Sequence, residues 1–169
     1  MENEQEIEIL VEGEGLADIE IIRIPRGSAA RAILAAIGVK SGFPAEQAFL
    51  FVEDGEDPVD MAVLVENMAM ERVHHVHRAR KIEVRVFYQG RRIDNRFSPS
   101  TRIQRVLDWA VGPKGFNIDP TIAPEMELSL LDQKTAVPKN AHIGRYVRHP
   151  HCELDLDLIR GVVPNGASL

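Results

Sequence analysis

The chain has 169 residues, 44% hydrophobic and 27% charged, an ordinary balance for a globular protein of one or two domains. No apolar run approaches the ~18 residues of a membrane span. The acidic opening Met1-Glu2-Asn3-Glu4-Gln5-Glu6 lacks the basic-then-apolar order of a secretion signal. Cys152 is the single cysteine, which excludes an internal disulfide and makes a reducing cytoplasm the expected compartment. The net charge of −6 is uneven, with 16 acidic against 6 basic residues in 1–79 and 10 against 14 in 80–169. The two halves are either separately solvated, or attract one another or different partners; charge of this kind speaks to association rather than fold.

In chain order, Ile7, Ile9 and Val11 alternate with polar residues, as a half-buried strand does. Gly13-Glu14-Gly15 supplies a turn, and Ile19, Ile21 and Ile24 read as the returning strand of a hairpin. Pro25-Arg26-Gly27-Ser28 breaks that strand, with Ser28 as the expected helix cap. Ala30, Ile33, Leu34 and Ile37 then form one apolar helical face, which Gly38 and Gly42 are expected to stop. Ala48 to Val52 and Arg72 to Arg78 come next as strands, either side of the turn-rich segment 53–58.

The same order returns. Ile82, Val84 and Val86 alternate, Gln89-Gly90-Arg91-Arg92 turns the chain, and Ile93 to Phe97 comes back. Ser98-Pro99 marks a helix start, Ile103, Val106, Leu107 and Ala110 repeat the helical stripe, and Gly112-Pro113 ends it. Met126 to Leu131 and Cys152 to Ile159 are the closing strands. Matching elements recur at an offset of about 70 residues, the signature of a duplication. Each half reads ββαββ, an α+β arrangement of one helix across a four- or five-stranded sheet. The junction Arg78-Ala79-Arg80-Lys81 carries no Gly/Ser stretch, so a restricted orientation of the halves is expected.

The segment Met126-Glu127-Leu128-Ser129-Leu130-Leu131, Ala141-His142-Ile143-Gly144-Arg145-Tyr146-Val147 and Cys152 to Gly161 resembles the second half of the ubiquitin-like β-grasp family. It includes that family's tyrosine-containing turn before a last strand that ends in glycine. Two such lobes with one usable tail resemble the tandem ubiquitin-like modifiers of interferon-treated vertebrate cells. They resemble in particular those of bacterial anti-phage operons that also encode activating, conjugating and deubiquitinase-like proteins. The resemblance implies two tandem ubiquitin-like β-grasp domains, residues 1–79 and 80–161, ahead of a removable peptide, 162–169. It implies processing at Gly161 by a JAB-type deubiquitinase-like peptidase. It further implies activation by a dedicated E1-like enzyme, transfer to an E2-like enzyme and an isopeptide bond to target proteins, with phage structural proteins among the expected targets. The chain itself would be no enzyme, with no catalytic residue, metal or cofactor.

Such chemistry suits this tail. Glycine at 161 lets backbone approach an enzyme's reacting groups closely. Arg160 offers a permanently charged fork, and Leu158, Ile159 and Asp157 precede it as the extended segment that a cleft would hold by strand pairing. The family's tail carries two glycines; here Arg160 precedes Gly161 and Val162 comes after it. Asp157 stands where the family's tail arginine would be, so an activating enzyme specific for ubiquitin is expected to reject this chain. Leu154, Leu156 and Leu158 alternate with Glu153, Asp155 and Asp157 and are expected in the core.

Other constellations have plainer readings. His74, His75 and His77 read as a solvated or interlobe face rather than a metal site. His149, His151 and Cys152 lack a second ligand pair, and Cys152 reads as a small buried hydrophobe. Arg91, Arg92, Arg96, Arg102 and Arg105 form a basic surface without the interleaved aromatics of a nucleic-acid site, so an acidic partner, lobe 1 included, is expected. Trp109 is expected at the sheet edge or between the lobes. The alternative to a modifier is a non-conjugated double β-grasp adaptor or binding protein. A sulfur carrier would need the same tail but not a first lobe.

Overall fold

The computed structural model describes residues 5–161. Lobe 1 comprises β1 (Glu6–Gly13), β2 (Glu20–Pro25), α1 (Arg31–Ser41), β3 (Phe49–Val52) and β4 (His74–His77). Lobe 2 comprises β5 (Ile82–Tyr88), β6 (Arg91–Phe97), α2 (Ile103–Val111), β7 (Met126–Leu130) and β8 (Glu153–Arg160). The sheet orders are β2-β1-β4-β3 and β6-β5-β8-β7, the same topology twice. In each, the first and last strands lie side by side and parallel, flanked by antiparallel neighbours. The molecule is therefore α+β, two β-grasp-like domains in tandem.

Alternation fixes which face of each sheet is covered. Ile7, Ile9, Val11 and Val76 meet Ile33, Leu34 and Ile37 of α1 in one core. Ile82, Val84, Val86, Leu154, Leu156 and Leu158 meet Ile103, Val106, Leu107 and Ala110 of α2 in the other. Of Ile19, Ile21 and Ile24, the apolar residues read into the returning strand, only Ile24 lies on the core face, and its inward companion is Ile22. Ile9 pairs with Ile22 and Ile7 with Ile24, so Ile22 and Ile24 go inward. Ile19 and Ile21 are left 49% and 58% exposed, Ile21 opposite Leu10. With a side-chain period of two, a one-residue shift exchanges the faces.

The helix starts also differ, and in the same way twice. Neither Ser28 nor Ser98 caps a helix; the caps are Ala30 and Arg102, without side-chain cap bonds. The first free amides of each helix are instead satisfied by the loop between the third and fourth strands. Ala30 and Arg31 N–H donate to the Val63 and Met61 carbonyls, at 2.8 and 3.2 Å. Ile103 and Gln104 N–H donate to the Ala141 and Lys139 carbonyls, both at 2.9 Å. A helix start needs acceptors, and here a distant backbone supplies them. At the other end of α1 the stop is Gly42 alone, left-handed at φ 81°, while Gly38 lies inside the helix.

The lobes are joined by far more than the junction. The outward side of β4 and the turn after β3 pack against lobe 2. Asp54 is the anchor of that turn, held at φ 61°. Its N–H donates to the Ser100 carbonyl (3.0 Å), and its own carbonyl accepts from Arg105 Nη1 (2.8 Å). Its carboxylate accepts from the Arg102 backbone N–H (2.9 Å) and from Arg102 Nε (2.6 Å). Beside it, Ser98 Oγ donates to the Gly55 carbonyl (2.5 Å) and Lys81 Nζ to the Glu56 carbonyl (2.9 Å). The acidic excess of lobe 1 and the basic excess of lobe 2 thus meet at this seam.

Behind the clamp lie buried histidines. Ala79 N–H donates to His77 Nδ1 (2.9 Å), so His77 carries its hydrogen on Nε2, which faces the Gly144 and Val147 carbonyls at 3.1 and 2.9 Å. His75 Nδ1 and His142 Nδ1 lie 3.0 Å apart, and His142 Nε2 is 2.8 Å from Glu53 Oε2. A neutral His75 that donates from Nδ1 to His142 leaves its own Nε2 with no partner among the described residues, and His142, accepting at Nδ1, donates from Nε2 to Glu53. Gly144 makes this approach possible, since a Cβ there would stand 2.5 Å from His75 Nε2 and 2.9 Å from the Pro99 carbonyl. Glu14, buried beside His77, receives Arg78 Nε and Nη2 at 3.0 and 2.8 Å and the His149 N–H at 2.8 Å. Burial pushes its carboxyl up, but the Arg78 bonds, together with His77 and the His149 N–H, hold it below the usual range.

Two outcomes are expected. Asp54→Ala removes two charge-assisted bonds and costs about 2–3 kcal/mol. In calorimetry it splits a single unfolding transition into two, one per lobe. The second outcome concerns pH. Burial lowers the pKa of His74, of His75 (furthest, with His142 and His77 adding to it) and of His77. The unfolded chain therefore binds protons that the folded one refuses, and the stability present above about pH 6.5 is lost as pH falls. The slope is about 1.4 kcal/mol per pH unit for each imidazole kept neutral. Urea midpoints at pH 7.5 and 5.5 measure it, and His75→Gln lessens it.

Candidate functional site: the end of the last strand

β8 lies between two strands for most of its length and, among the described residues, is paired with one strand at its end. Its parallel register with β5 runs from Glu83 opposite Glu153 to Phe87 opposite Asp157 and stops there. Its antiparallel register with β7 continues, with Leu128 opposite Leu158, Glu127 opposite Ile159 and Met126 opposite Arg160. Residues 158–160 are thus paired along one edge within the described residues and present the other. Such an edge accepts a further extended segment through backbone bonds.

The alternation assigns the side chains. Leu158 is 4% exposed and packs with Leu154 and Leu156 in the lobe 2 core, so it roots the tail rather than facing a partner. Asp157 and Ile159 are half-buried on the opposite face, with Asp157 Oδ2 accepting the Asp132 N–H at 3.0 Å. Glu153 and Asp155 share that face and are held by Arg85, at 3.0 and 2.6 Å. Arg160 has a side chain 63% exposed and is paired with Glu125. Gly161 is half-exposed, its N–H donating to the Glu125 carbonyl at 2.7 Å. Arg160 and Gly161 therefore lie at the surface, ahead of a buried anchor.

The other candidates fall into structural places. His149 and His151 are exposed, whereas His74, His75 and His77 are buried. The described residues hold no group of three or more potential metal ligands. Cys152 is half-buried against the lobe 2 core, and burial pushes its thiol up, keeping it protonated and unreactive. Arg102 and Arg105 reach lobe 1, Arg92 pairs with Asp94, and Arg91 lies over the Phe116 ring. Trp109 meets Phe97 edge-on at 5.6 Å and lines a cleft at the lobe junction with Glu56, Lys81 and Arg105. Among the described residues no helix is long and apolar enough to cross a membrane.

Sequence reasoning missed Glu125 and Glu127 beside the tail, and Glu53 and Asp54 at the seam. Two acids in alternation at the start of a strand, Glu125 and Glu127 around Met126, opposite a tail that carries an arginine, are the signal that could have found the first pair.

Residues 83–161 match the family model of the BilA ubiquitin-like domain 2, so the matched span covers lobe 2 and closes on Gly161. No curated protein matches the chain.

Anchor and surface roles separate on substitution. Leu158→Ala is expected to cost about 2–4 kcal/mol through the cavity it leaves, and Ile159→Ala under about 1 kcal/mol. Urea unfolding of both variants measures the contrast.

Proposed function

We propose that this chain, whose second lobe is ubiquitin-like, is a protein modifier that works through its own trimmed end. In this reading residues 1–79 and 80–161 are its two domains, and 162–169 are removed to leave Gly161 as the C-terminus. A JAB-type deubiquitinase-like peptidase makes the cut. A dedicated E1-like enzyme activates the Gly161 carboxylate, an E2-like enzyme carries it as a thioester, and a lysine of a target protein takes it in an isopeptide bond. The setting is bacterial anti-phage defence in the cytoplasm, with phage structural proteins as targets. The scaffold contributes no catalytic group, because adenylation and thioester formation supply the reactivity.

The observation that carries this reading is the end of β8. Its last residues have one open edge, Arg160 and Gly161 lie at the surface, and Leu158 holds the base of the tail in the core. The family match that closes on Gly161 supports it. Gly161 already sits close against the strand start at Glu125, where a Cβ would lie 3.1 Å from the carbonyl. A second reading, an adaptor that is never conjugated, draws support from the exposed Leu10 and Ile21 pair on the outer face of lobe 1. That pair offers an apolar contact away from the tail.

Intact mass after co-expression with activating, conjugating and peptidase partners decides between them. A modifier loses residues 162–169 and gains mass-shifted adducts, and Gly161→Glu abolishes the adducts while both lobes stay folded. An unchanged 18.9 kDa chain establishes the adaptor instead, and adducts that persist in Gly161→Glu move the site elsewhere.

A further inference from the structure

We propose that Glu125 and Glu127 form a cradle that docks the tail while the chain continues past Gly161, and that cutting after Gly161 expels it by charge repulsion. The inference rests on the processing point proposed above. Arg160 presents both Nε and Nη2 to Glu125 Oε2, with Nε at 2.7 Å, and the Gly161 N–H donates to the Glu125 carbonyl at 2.7 Å. The bonds extend the β7–β8 pairing past Met126 opposite Arg160. On the side of Gly161 where a Cβ would point, Glu127 waits, its Cδ at 3.2 Å and its Oε2 at 3.3 Å from that position. A glycine fits between the Glu125 carbonyl and this carboxylate; a larger residue would have to displace one of them.

In the uncut chain the carbonyl of Gly161 belongs to a neutral amide. Hydrolysis adds one water across the bond to Val162. The Gly161 carbonyl carbon takes the oxygen and ionises as a carboxylate, and Val162 keeps its nitrogen as an ammonium. The new carboxylate hangs from the same Cα as the Cβ position, which sets it at most about 6 Å from Glu127 Oε2 by bond geometry. Arg160, its sequence neighbour, is already engaged by Glu125. Two like charges at that separation weaken docking by about threefold at the dielectric of water and about a hundredfold at that of a protein surface. The opposing hold is an exposed ion pair and one backbone bond. Exposed pairs contribute little, so a modest repulsion tips the balance. The cradle thus reports the state of the tail, parked before cutting and free to enter a partner's cleft afterwards.

The test compares amide exchange and 15N heteronuclear NOEs of Arg160 and Gly161 in four proteins. These are the full chain, residues 1–161 with a free carboxylate, the same with Glu127→Gln, and residues 1–161 ending in a carboxamide. The expected result is an ordered tail in the full chain and exchange at least about threefold faster in 1–161. Order returns in both the Glu127→Gln and the carboxamide forms. Equal order in the full chain and 1–161, or a mobile tail in both, overturns the proposal. The carboxamide carries the test should Glu127→Gln not fold. Because no enzyme takes part, failure of conjugation with normal cradle behaviour counts against the modifier reading alone, and the reverse result counts against the cradle alone.

Discussion

The relation between the lobes hangs on one turn. Asp54, held at a left-handed φ, offers its N–H, its carbonyl and both carboxylate oxygens to Ser100, Arg105 and Arg102. Each of these is the kind of bond whose loss strands a polar partner. The turn also fixes where the end of β3 lies, and so where Glu53 meets His142 and where β4 presents His75 and His77. Beside it the histidines form the floor of a seam that His77 and Glu14 also bridge, to the Gly144 and Val147 carbonyls and the His149 N–H. The junction residues contribute too, since Ala79 enters the lobe 2 core and its N–H sets the tautomer of His77.

Duplication explains the devices that recur. In both lobes the parallel central pair places the last strand beside the first, and in both the loop before that last strand lends backbone carbonyls to the helix start. A side-chain cap is unnecessary where a loop two strands away is held against the helix. The lobes differ in how their last strands end. β4 leads at once into the junction and spends its outer face on lobe 2, whereas β8 outruns β5 and ends in the open. The same strand position backs the lobe seam in one copy and runs past its parallel neighbour in the other.

Much of this was legible in the chain and some was not, for reasons of range. Leu154, Leu156 and Leu158 read correctly as core because a strand's period of two is local. The helical stripes read correctly for the same reason. Ile22 was missed as an inward residue of β2 because Gly13-Glu14-Gly15 signals a turn without setting the register, which Ile9 opposite Ile22 fixes. Ser28 misled as a cap and Ser98-Pro99 as a helix start because the real acceptors come from residues 61–63 and 139–141. At the candidate site, the position of Arg160 and Gly161 at a strand end was readable. Their partner Glu125, 35 residues upstream, was not. The His74-His75-His77 cluster read as a solvated or an interlobe face, two options that the local sequence does not separate; burial at the seam decides for the second, and nothing local named His142 as its partner.

The side-by-side placement of first and last strands has a consequence for the order of assembly. Neither sheet acquires its middle until its final strand arrives, a non-local closure of the kind that slows folding. Lobe 1 has all its strands once His77 has left the ribosome, while lobe 2 still lacks β8. The nascent chain thus holds a finished first sheet, its acidic turn awaiting arginines not yet in place, beside an open second one. Arg160 and Gly161 reach their position beside Glu125 only when β8 slots in, so this strand end is presented in order only by a chain that has completed its second sheet.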